Sequence, residues 1–206
     1  MAMKNLFLTA SGLTERTAEL FWNVVKREPA NVRAILVPSA AVENDAAREG
    51  IIVCMERLVY MGIPQQNILL YHLAYLLSQG YARTYSSYVQ DIPVPLRLMS
   101  AEELQAYDMI VFCGGNASTL LRQVRRTGFA EPLRQAVENG LVYLGISAGS
   151  MIAAGNFPDG LGYLDNPLIP HAEKGSPCGE VRRKDWIALA DGQAVYIRGN
   201  RAEIIG

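Results

Sequence analysis

A serine between small residues is the strongest candidate for chemistry in this chain. Ser147 lies in the segment Gly145-Ile146-Ser147-Ala148-Gly149, between an apolar run that predicts a strand and a run that predicts a helix. Small neighbours are needed when a serine sits on a sharp strand-to-helix turn that lifts its hydroxyl above a sheet. The following helix would aim its backbone N–H groups at the same place, which makes the Ala148 N–H a natural oxyanion donor. The pattern predicts a nucleophile, and a serine cap in a glycine-rich turn is the alternative.

A pair of glycines follows another predicted strand. In Gly114-Gly115-Asn116 the glycines let the backbone approach a ligand closely, and Asn116 can cap the next helix. The functional interpretation is a second oxyanion N–H, from Gly115 or Gly114. The alternative is a plain tight turn with a cap. The dinucleotide and P-loop phosphate-binding patterns are both absent.

A serine nucleophile needs a base, which is usually a histidine. The chain has two histidines, His72 and His171, and each follows a predicted strand. Each could also be a surface residue or a satisfied core residue. The residues alone prefer His171 without excluding His72.

Composition limits the classes of function. The chain has 206 residues, a formal net charge of -1 and a sequence pI near 6.1, which gives no reason to expect a nucleic acid or an anionic membrane as partner. No run is long and apolar enough to predict a membrane-spanning helix, and the N-terminus lacks the pattern of a signal peptide. Cys54, Cys113 and Cys178 form no CxxC pair, so we expect free thiols in a reducing cytoplasm and no metal site.

Strands and helices alternate along the chain, which predicts a single α/β domain over residues 1–206. Strands are predicted at residues 5–10, 32–37, 67–71, 108–113 and 141–146, and helices at residues 14–27, 44–61, 101–107, 118–126, 131–138 and 150–154. This order favours a mostly parallel sheet with helices on both faces. Right-handed crossovers then bring both glycine-containing turns to the carboxyl edge of the sheet, where ligands bind.

Two segments fall outside this alternation. Residues 193–198 and 201–205 predict a closing C-terminal hairpin around Gly199-Asn200. Residues 72–100 are rich in tyrosine and predict a short helix and a long loop, which in a compact domain is usually functional or mobile.

Several segments together resemble the dipeptidase E family of serine peptidases. They are Lys4-Asn5-Leu6-Phe7-Leu8-Thr9, Ile35-Leu36-Val37-Pro38-Ser39-Ala40, Val111-Phe112-Cys113-Gly114-Gly115-Asn116, Leu120-Leu121, Gly140 to Ser150, Ile169-Pro170-His171 and Asp191-Gly192-Gln193-Ala194-Val195. The resemblance implies a class I glutamine amidotransferase-like fold. It also implies release of an N-terminal aspartate from short peptides, without metal or cofactor.

The resemblance assigns roles to particular residues. Ser147 matches the nucleophile and His171 the base, which decides between the two histidines. Ala148 matches one oxyanion donor, and Gly114 and Gly115 match the glycines that provide the other. We expect a small peptide as substrate and either a monomer or a homodimer.

The chain departs from the family between Ser147 and His171, where it is shorter. In the family this stretch usually supplies the acidic group that orients the histidine. Asp159 is the favoured replacement, with Asp165 and Glu173 as alternatives. The missing acid also motivates a rival function, a weakly active or inactive binding or regulatory protein that retains the pocket. An amidotransferase-type glutaminase is disfavoured, because those enzymes use cysteine where this chain has Ser147.

Overall fold

The computed structural model describes residues 3–41, 45–85, 91–182 and 185–206. The strands are β1 Asn5–Thr9, β2 Ala34–Val37, β3 Ile68–Leu70, β4 Met109–Phe112, β5 Val142–Ile146, β6 Leu168–Pro170, β7 Gly179–Glu180, β8 Ile187–Leu189, β9 Ala194–Arg198 and β10 Arg201–Ile205. The α-helices are α1 Glu15–Val25, α2 Asp45–Tyr60, α3 Gln79–Thr84, α4 Ala101–Leu104, α5 Ala117–Thr127, α6 Ala130–Glu138 and α7 Ala148–Ala153. In these ranges no helix has both the length and the apolar character required to cross a bilayer.

One large sheet organises the described residues, with strand order β3-β2-β4-β5-β1-β9-β10-β7. The first five strands in this order run parallel to one another, and the last three are joined in antiparallel pairs. In the parallel register Thr9 lies beside Ile146, and Phe112 lies beside Gly145. The carboxyl ends of β1, β4 and β5 therefore meet at one edge. The prediction of a mostly parallel α/β sheet is confirmed.

Apolar side chains cover both faces of the sheet, because neighbouring residues of a strand point to opposite sides. On one face Phe7 packs edge-on against Phe21 of α1, with ring centroids 5.2 Å apart. On the other face Phe112 stacks on Tyr143 at 5.0 Å, and Leu120 of α5 is buried in the same cluster. The helices thus cover the sheet on both sides, as the alternation of elements predicts.

The C-terminal hairpin also forms as predicted. β9 and β10 pair in antiparallel register, with Arg198 beside Arg201, and Gly199 takes a φ of 59° in the turn. β9 also pairs antiparallel with β1, so the hairpin extends the sheet beyond its parallel part.

The segment at residues 72–100 contains little regular structure, as expected. A 3₁₀ turn at Leu73–Tyr75 and helix α3 are its regular elements within the described part, and residues 86–90, including Tyr88, lie outside the described residues. The buried Tyr71 hydroxyl holds the end of the segment, since it donates to the Arg97 carbonyl at 2.7 Å and accepts from the Met99 N–H at 2.9 Å.

Candidate active site

Ser147 occupies a strained turn between β5 and α7. Its φ of 49° and ψ of -104° are unusual for a residue other than glycine. Such conformations cost roughly 1–3 kcal/mol and persist where surrounding contacts enforce them. Here the Ser147 N–H donates to the Thr9 carbonyl at 2.9 Å, and the Ser150 hydroxyl donates to the same carbonyl at 2.7 Å. The end of β1 therefore fixes the turn on both sides of the serine.

The glycines around Ser147 are required by close packing. A Cβ atom on Gly149 would lie 2.5 Å from the Phe112 carbonyl oxygen, and one on Gly145 would lie 2.8 Å from the Gly149 carbonyl carbon. Real Cβ atoms do not approach other atoms so closely, so a larger residue would push α7 away from β4 and β5. The small flanking residues thus have a structural reason in addition to the functional one.

The Gly114-Gly115 turn lies against Ser147. A Cβ on Gly114 would be 3.5 Å from the Ser147 Cβ. Gly115 has a φ of 132°, and a Cβ there would lie 2.3 Å from the Ala40 carbonyl oxygen. That carbonyl also accepts a hydrogen bond from the Asn116 N–H at 2.9 Å. The turns that follow β2, β4 and β5 are therefore packed together around the serine.

The backbone donors at this turn are not equivalent. The Gly114 N–H interacts with the Cys54 thiol and lowers its pKa. Among the described residues, the N–H groups of Gly115 and Ala148 have no hydrogen-bond partner. Of the two glycines predicted as donors, Gly115 is therefore the one whose N–H group does not also interact with Cys54.

His171 directly follows β6 and has a carboxylate partner. Its Nδ1 atom lies 2.9 Å from Oδ1 of Asp191, and both side chains are more than half exposed to solvent. The parallel pairing of β6 with β8 explains the contact, because Pro170 lies beside Leu189 and each polar residue follows shortly after its strand. β6 itself packs against α7, the helix that begins beside Ser147.

The favoured acid, Asp159, was the wrong choice for the histidine partner. Asp159 forms an ion pair with Arg125. The described contacts of the His171 ring include neither Asp165 nor Glu173. Asp191 belongs to a segment that carries the family resemblance, but it lies 20 residues after His171 and outside the stretch that usually supplies the acid. The register of two parallel strands of three residues each decides the contact, and strands so short carry no periodic signal in the sequence.

His72 has a packing role. It is 8% exposed, its Nδ1 accepts from the Ala74 N–H at 3.3 Å, and its ring lies 4.5 Å from that of Tyr75. Burial lowers the pKa of His72, which keeps the ring neutral. The side chain caps the 3₁₀ turn that opens the tyrosine-rich segment, so its contacts account for it without a catalytic role.

The Ser147 hydroxyl makes no hydrogen bond to any of the described residues, including His171. Catalytic hydrogen bonds are often long or poorly aligned until a substrate is bound. The chain thus places a strained serine, two available N–H groups and a histidine–carboxylate pair around α7.

Comparison with known sequences identifies relatives over part of the chain. An uncharacterized peptidase of Pasteurella multocida is 40% identical over 65 residues, which are 32% of this chain and 31% of that protein. The pyridoxal 5'-phosphate synthase subunit PdxT of Hyperthermus butylicus is 33% identical over 82 residues, or 39% of each chain. Peptidase E of Pasteurella multocida is 28% identical over 134 residues, 52% of this chain and 57% of that one. The chain therefore spans less than two thirds of the length of these relatives.

A solved structure from Listeria monocytogenes, of a protein assigned as peptidase E, superimposes on nearly the whole chain. The TM-score is 0.63 at 20% identity, with 99% of this chain and 98% of that chain covered. This likeness shows the fold, which is the glutamine amidotransferase-like fold expected from the sequence.

The family itself is shown by sequence. The model of peptidase family S51 matches residues 93–205, more than half of the chain. The matched part contains the serine turn, the glycine pair, the histidine and its carboxylate partner. The chain belongs to peptidase family S51.

Proposed function

We propose that the protein is a serine-type peptidase in which Ser147 is the nucleophile. The observation that carries the proposal is the backbone of Ser147, held at a φ of 49° beside two N–H groups that lack partners in the described part of the chain. Strain of this kind is retained where the surroundings enforce it, and it concentrates at active sites. A serine that only caps a helix would not need it.

The oxyanion donors are the N–H groups of Gly115 and Ala148. In acyl transfer, negative charge develops on the carbonyl oxygen that the serine attacks, and fixed donors stabilise it without reorganisation. Gly114 is the weaker candidate for a donor, because its N–H interacts with Cys54. Its role is to let the turn approach Ser147 closely.

His171 is the general base and acid. Its Nδ1 is occupied by Asp191 at 2.9 Å, which leaves Nε2 for the serine proton. Ser147 Oγ attacks the scissile carbonyl carbon while His171 accepts the hydroxyl proton. The tetrahedral intermediate then collapses, the proton passes to the leaving amine, and the acyl-enzyme is hydrolysed by water that His171 activates. Asp191 orients the ring and stabilises its charged form.

The substrate class is a short peptide, with an N-terminal aspartate as the preferred residue. The resemblance to dipeptidase E and the peptidase E relative favour this class. The Arg57 side chain, which donates to the Ser11 carbonyl, lines a cavity of about 300 Å³ whose wall includes Ile146, the residue before Ser147. An acidic substrate would find a complementary charge there.

The protein would act as a monomer or homodimer in the cytoplasm, without metal or cofactor.

The alternative is a binding or regulatory protein that retains the pocket. The absence of a Ser147–His171 hydrogen bond within the described residues favours it. The pairing of His171 with Asp191 argues against this alternative, because the apparent lack of an acid was the reason to consider it.

The test is hydrolysis of a set of Asp-X dipeptides by the wild type and by Ser147→Ala, with release of free aspartate as the readout. Loss of a nucleophile typically lowers turnover by a factor on the order of 10⁶, so the variant should be at background. Equal rates in both proteins would exclude Ser147 as the nucleophile. No hydrolysis by the wild type of Asp-X or of a wider dipeptide panel would favour the binding function.

A further inference from the structure

Two buried cysteines lie directly behind the glycine turn, and the proposed mechanism does not use them. Cys54 is on α2 and Cys113 is the residue before Gly114, and both belong to the apolar cluster between α2 and the sheet. Each thiol is the largest single influence on the pKa of the other, which places the two side chains next to each other. They come from distant parts of the sequence, so only the fold brings them together.

Cys54 can be reached from solvent. It is 9% exposed and lines the cavity of about 300 Å³ that also contains Arg57. Cys113 is 1% exposed and does not line that cavity. A small reagent entering the cavity would therefore meet Cys54 first.

The surroundings of Cys54 favour a thiolate. The hydrogen bond from Cys113 lowers the pKa of Cys54 most, and the Arg57 charge and the Gly114 N–H lower it further, against the opposing effect of burial. The same contact and burial raise the pKa of Cys113 well above its ordinary value. One thiol of the pair is thus suited to be a nucleophile, and the other stays protonated as its donor.

We propose that Cys54 and Cys113 form a peroxide-reactive dithiol site, in which Cys54 reacts first and Cys113 then closes a disulfide. The Cys54 thiolate attacks a peroxide oxygen, an S–O bond forms, the O–O bond breaks, and the departing hydroxide takes up a proton to become water. The Cys113 sulfur then attacks the Cys54 sulfenic acid. The S–S bond forms, the S–O bond breaks, and hydroxide leaves with the Cys113 proton as water. Two thiols lose two electrons, and one peroxide becomes two waters.

The second step is helped by the first. The hydrogen bond with Cys54 is the largest cause of the raised pKa of Cys113, burial comes next, and the negative charge of Cys54 adds to both. A neutral sulfenic acid at Cys54 removes that negative charge, so Cys113 becomes easier to deprotonate at the moment when it must attack.

The disulfide would connect α2 to the end of β4, one residue before Gly114. Forming it requires specific Cβ and sulfur geometry, so the backbone at Cys113 must adjust. Gly114 and Gly115 are the two residues that follow Cys113, and Gly115 carries a proposed oxyanion donor. This consequence rests on the proposed function: oxidation would lower peptidase activity, and reduction would restore it.

The test begins with the wild-type protein. The reduced protein is treated with a few equivalents of hydrogen peroxide, remaining thiols are alkylated, and tryptic peptides are identified by mass. We expect residues 49–57 joined to residues 98–122, at the sum of the two peptide masses less two hydrogens, with Cys178 still alkylated. Recovery of both peptides in alkylated form, under peroxide that already oxidises the exposed Cys178, would overturn the proposal.

Trapping with dimedone tests the order of reaction. In Cys113→Ser we expect the adduct on Cys54, because the sulfenic acid cannot be resolved. An adduct on Cys113 in Cys54→Ser, with none on Cys54 in Cys113→Ser, would overturn the assignment of Cys54 as the first to react.

Activity is measured on the same samples, with Cys178→Ser as the matched control. Loss of one oxyanion donor typically costs roughly 10²–10³ in turnover, so we expect at least a tenfold fall on complete cross-linking and recovery with dithiothreitol. Full activity in the cross-linked protein would overturn the coupling to the glycine turn. Absence of hydrolysis in the reduced wild type would count against the proposed peptidase, while the peptide masses still decide on the dithiol site.

Discussion

Nδ1 of His171 and Oδ1 of Asp191 are 2.9 Å apart. The two residues follow neighbouring strands of the small parallel sheet, so backbone pairing holds the contact in place. A carboxylate on one ring nitrogen fixes the tautomer and the orientation of a catalytic histidine. In the proposed mechanism this contact supplies the acid that the shortened stretch before His171 lacks.

Asp191→Asn should lower kcat with little change in KM, because Asp191 acts through His171 and does not contact substrate. A buried acid of this type can be worth about 10⁴ in turnover, and since this pair is half exposed we expect a loss of roughly 10²-fold. Asp159→Asn is the control, since it removes an exposed pair with Arg125, and its rate should stay within about twofold of the wild type. The prediction is wrong if both variants lose activity equally.

Gly115→Ala should unfold more easily and lose activity. The new Cβ would lie 2.3 Å from the Ala40 carbonyl oxygen, and a residue with a side chain is strained at a φ of 132°. Both effects destabilise the folded state. We expect roughly 2–4 kcal/mol of lost stability in urea denaturation. Gly179→Ala has the same φ with open space around it, so it should lose only about 1 kcal/mol and keep its activity. Similar losses in the two variants would show that the close approach to Ala40 is unimportant.

Two neighbouring buried tyrosines should respond differently to loss of their hydroxyls. Tyr143 donates to the Gly149 carbonyl at 2.7 Å, and Tyr143→Phe should cost about 1–2 kcal/mol and lower kcat. The Tyr163 hydroxyl is buried without a partner among the described residues, so Tyr163→Phe should be neutral or stabilising by up to about 1 kcal/mol. Thermal unfolding and peptide hydrolysis check both. A larger loss of stability in Tyr163→Phe than in Tyr143→Phe would contradict the assigned hydrogen bonds.

Glu103→Gln should destabilise the protein near neutral pH and not in acid. The Arg97 guanidinium holds the pKa of Glu103 at about 2, so the stabilisation is complete above the ordinary carboxyl pKa and is lost as pH falls through about 2. Because the side chain is about one-third exposed, we expect a difference of no more than about 1 kcal/mol. Glu102→Gln lies in the same helical turn and is the control. A difference that persisted unchanged to pH 2 would contradict the ion pair.

The sheet and the serine turn could be predicted because their signals are local. Apolar runs mark β1, β4 and β5, and the small residues around Ser147 mark a tight turn in any fold. Parallel order then brings the Ser147 and Gly115 turns to one edge without knowledge of side-chain contacts.

The acid could not be predicted, because it depends on contacts between distant segments. β6 and β8 have three residues each, too few for a periodic signal, and their register decides which carboxylate meets His171. The choice of Gly115 over Gly114 likewise depends on Cys54, which lies on a helix far away in sequence.

Covalent labelling shows whether Ser147 is a nucleophile activated by His171. Wild-type protein is treated with a fluorophosphonate, and the modified residue is identified by mass spectrometry. We expect one adduct, on Ser147, at a rate that falls strongly in His171→Ala and less in Asp191→Asn. Folded, unlabelled wild-type protein, or labelling of Ser147 at a rate independent of His171, would contradict the role of Ser147 as an activated nucleophile.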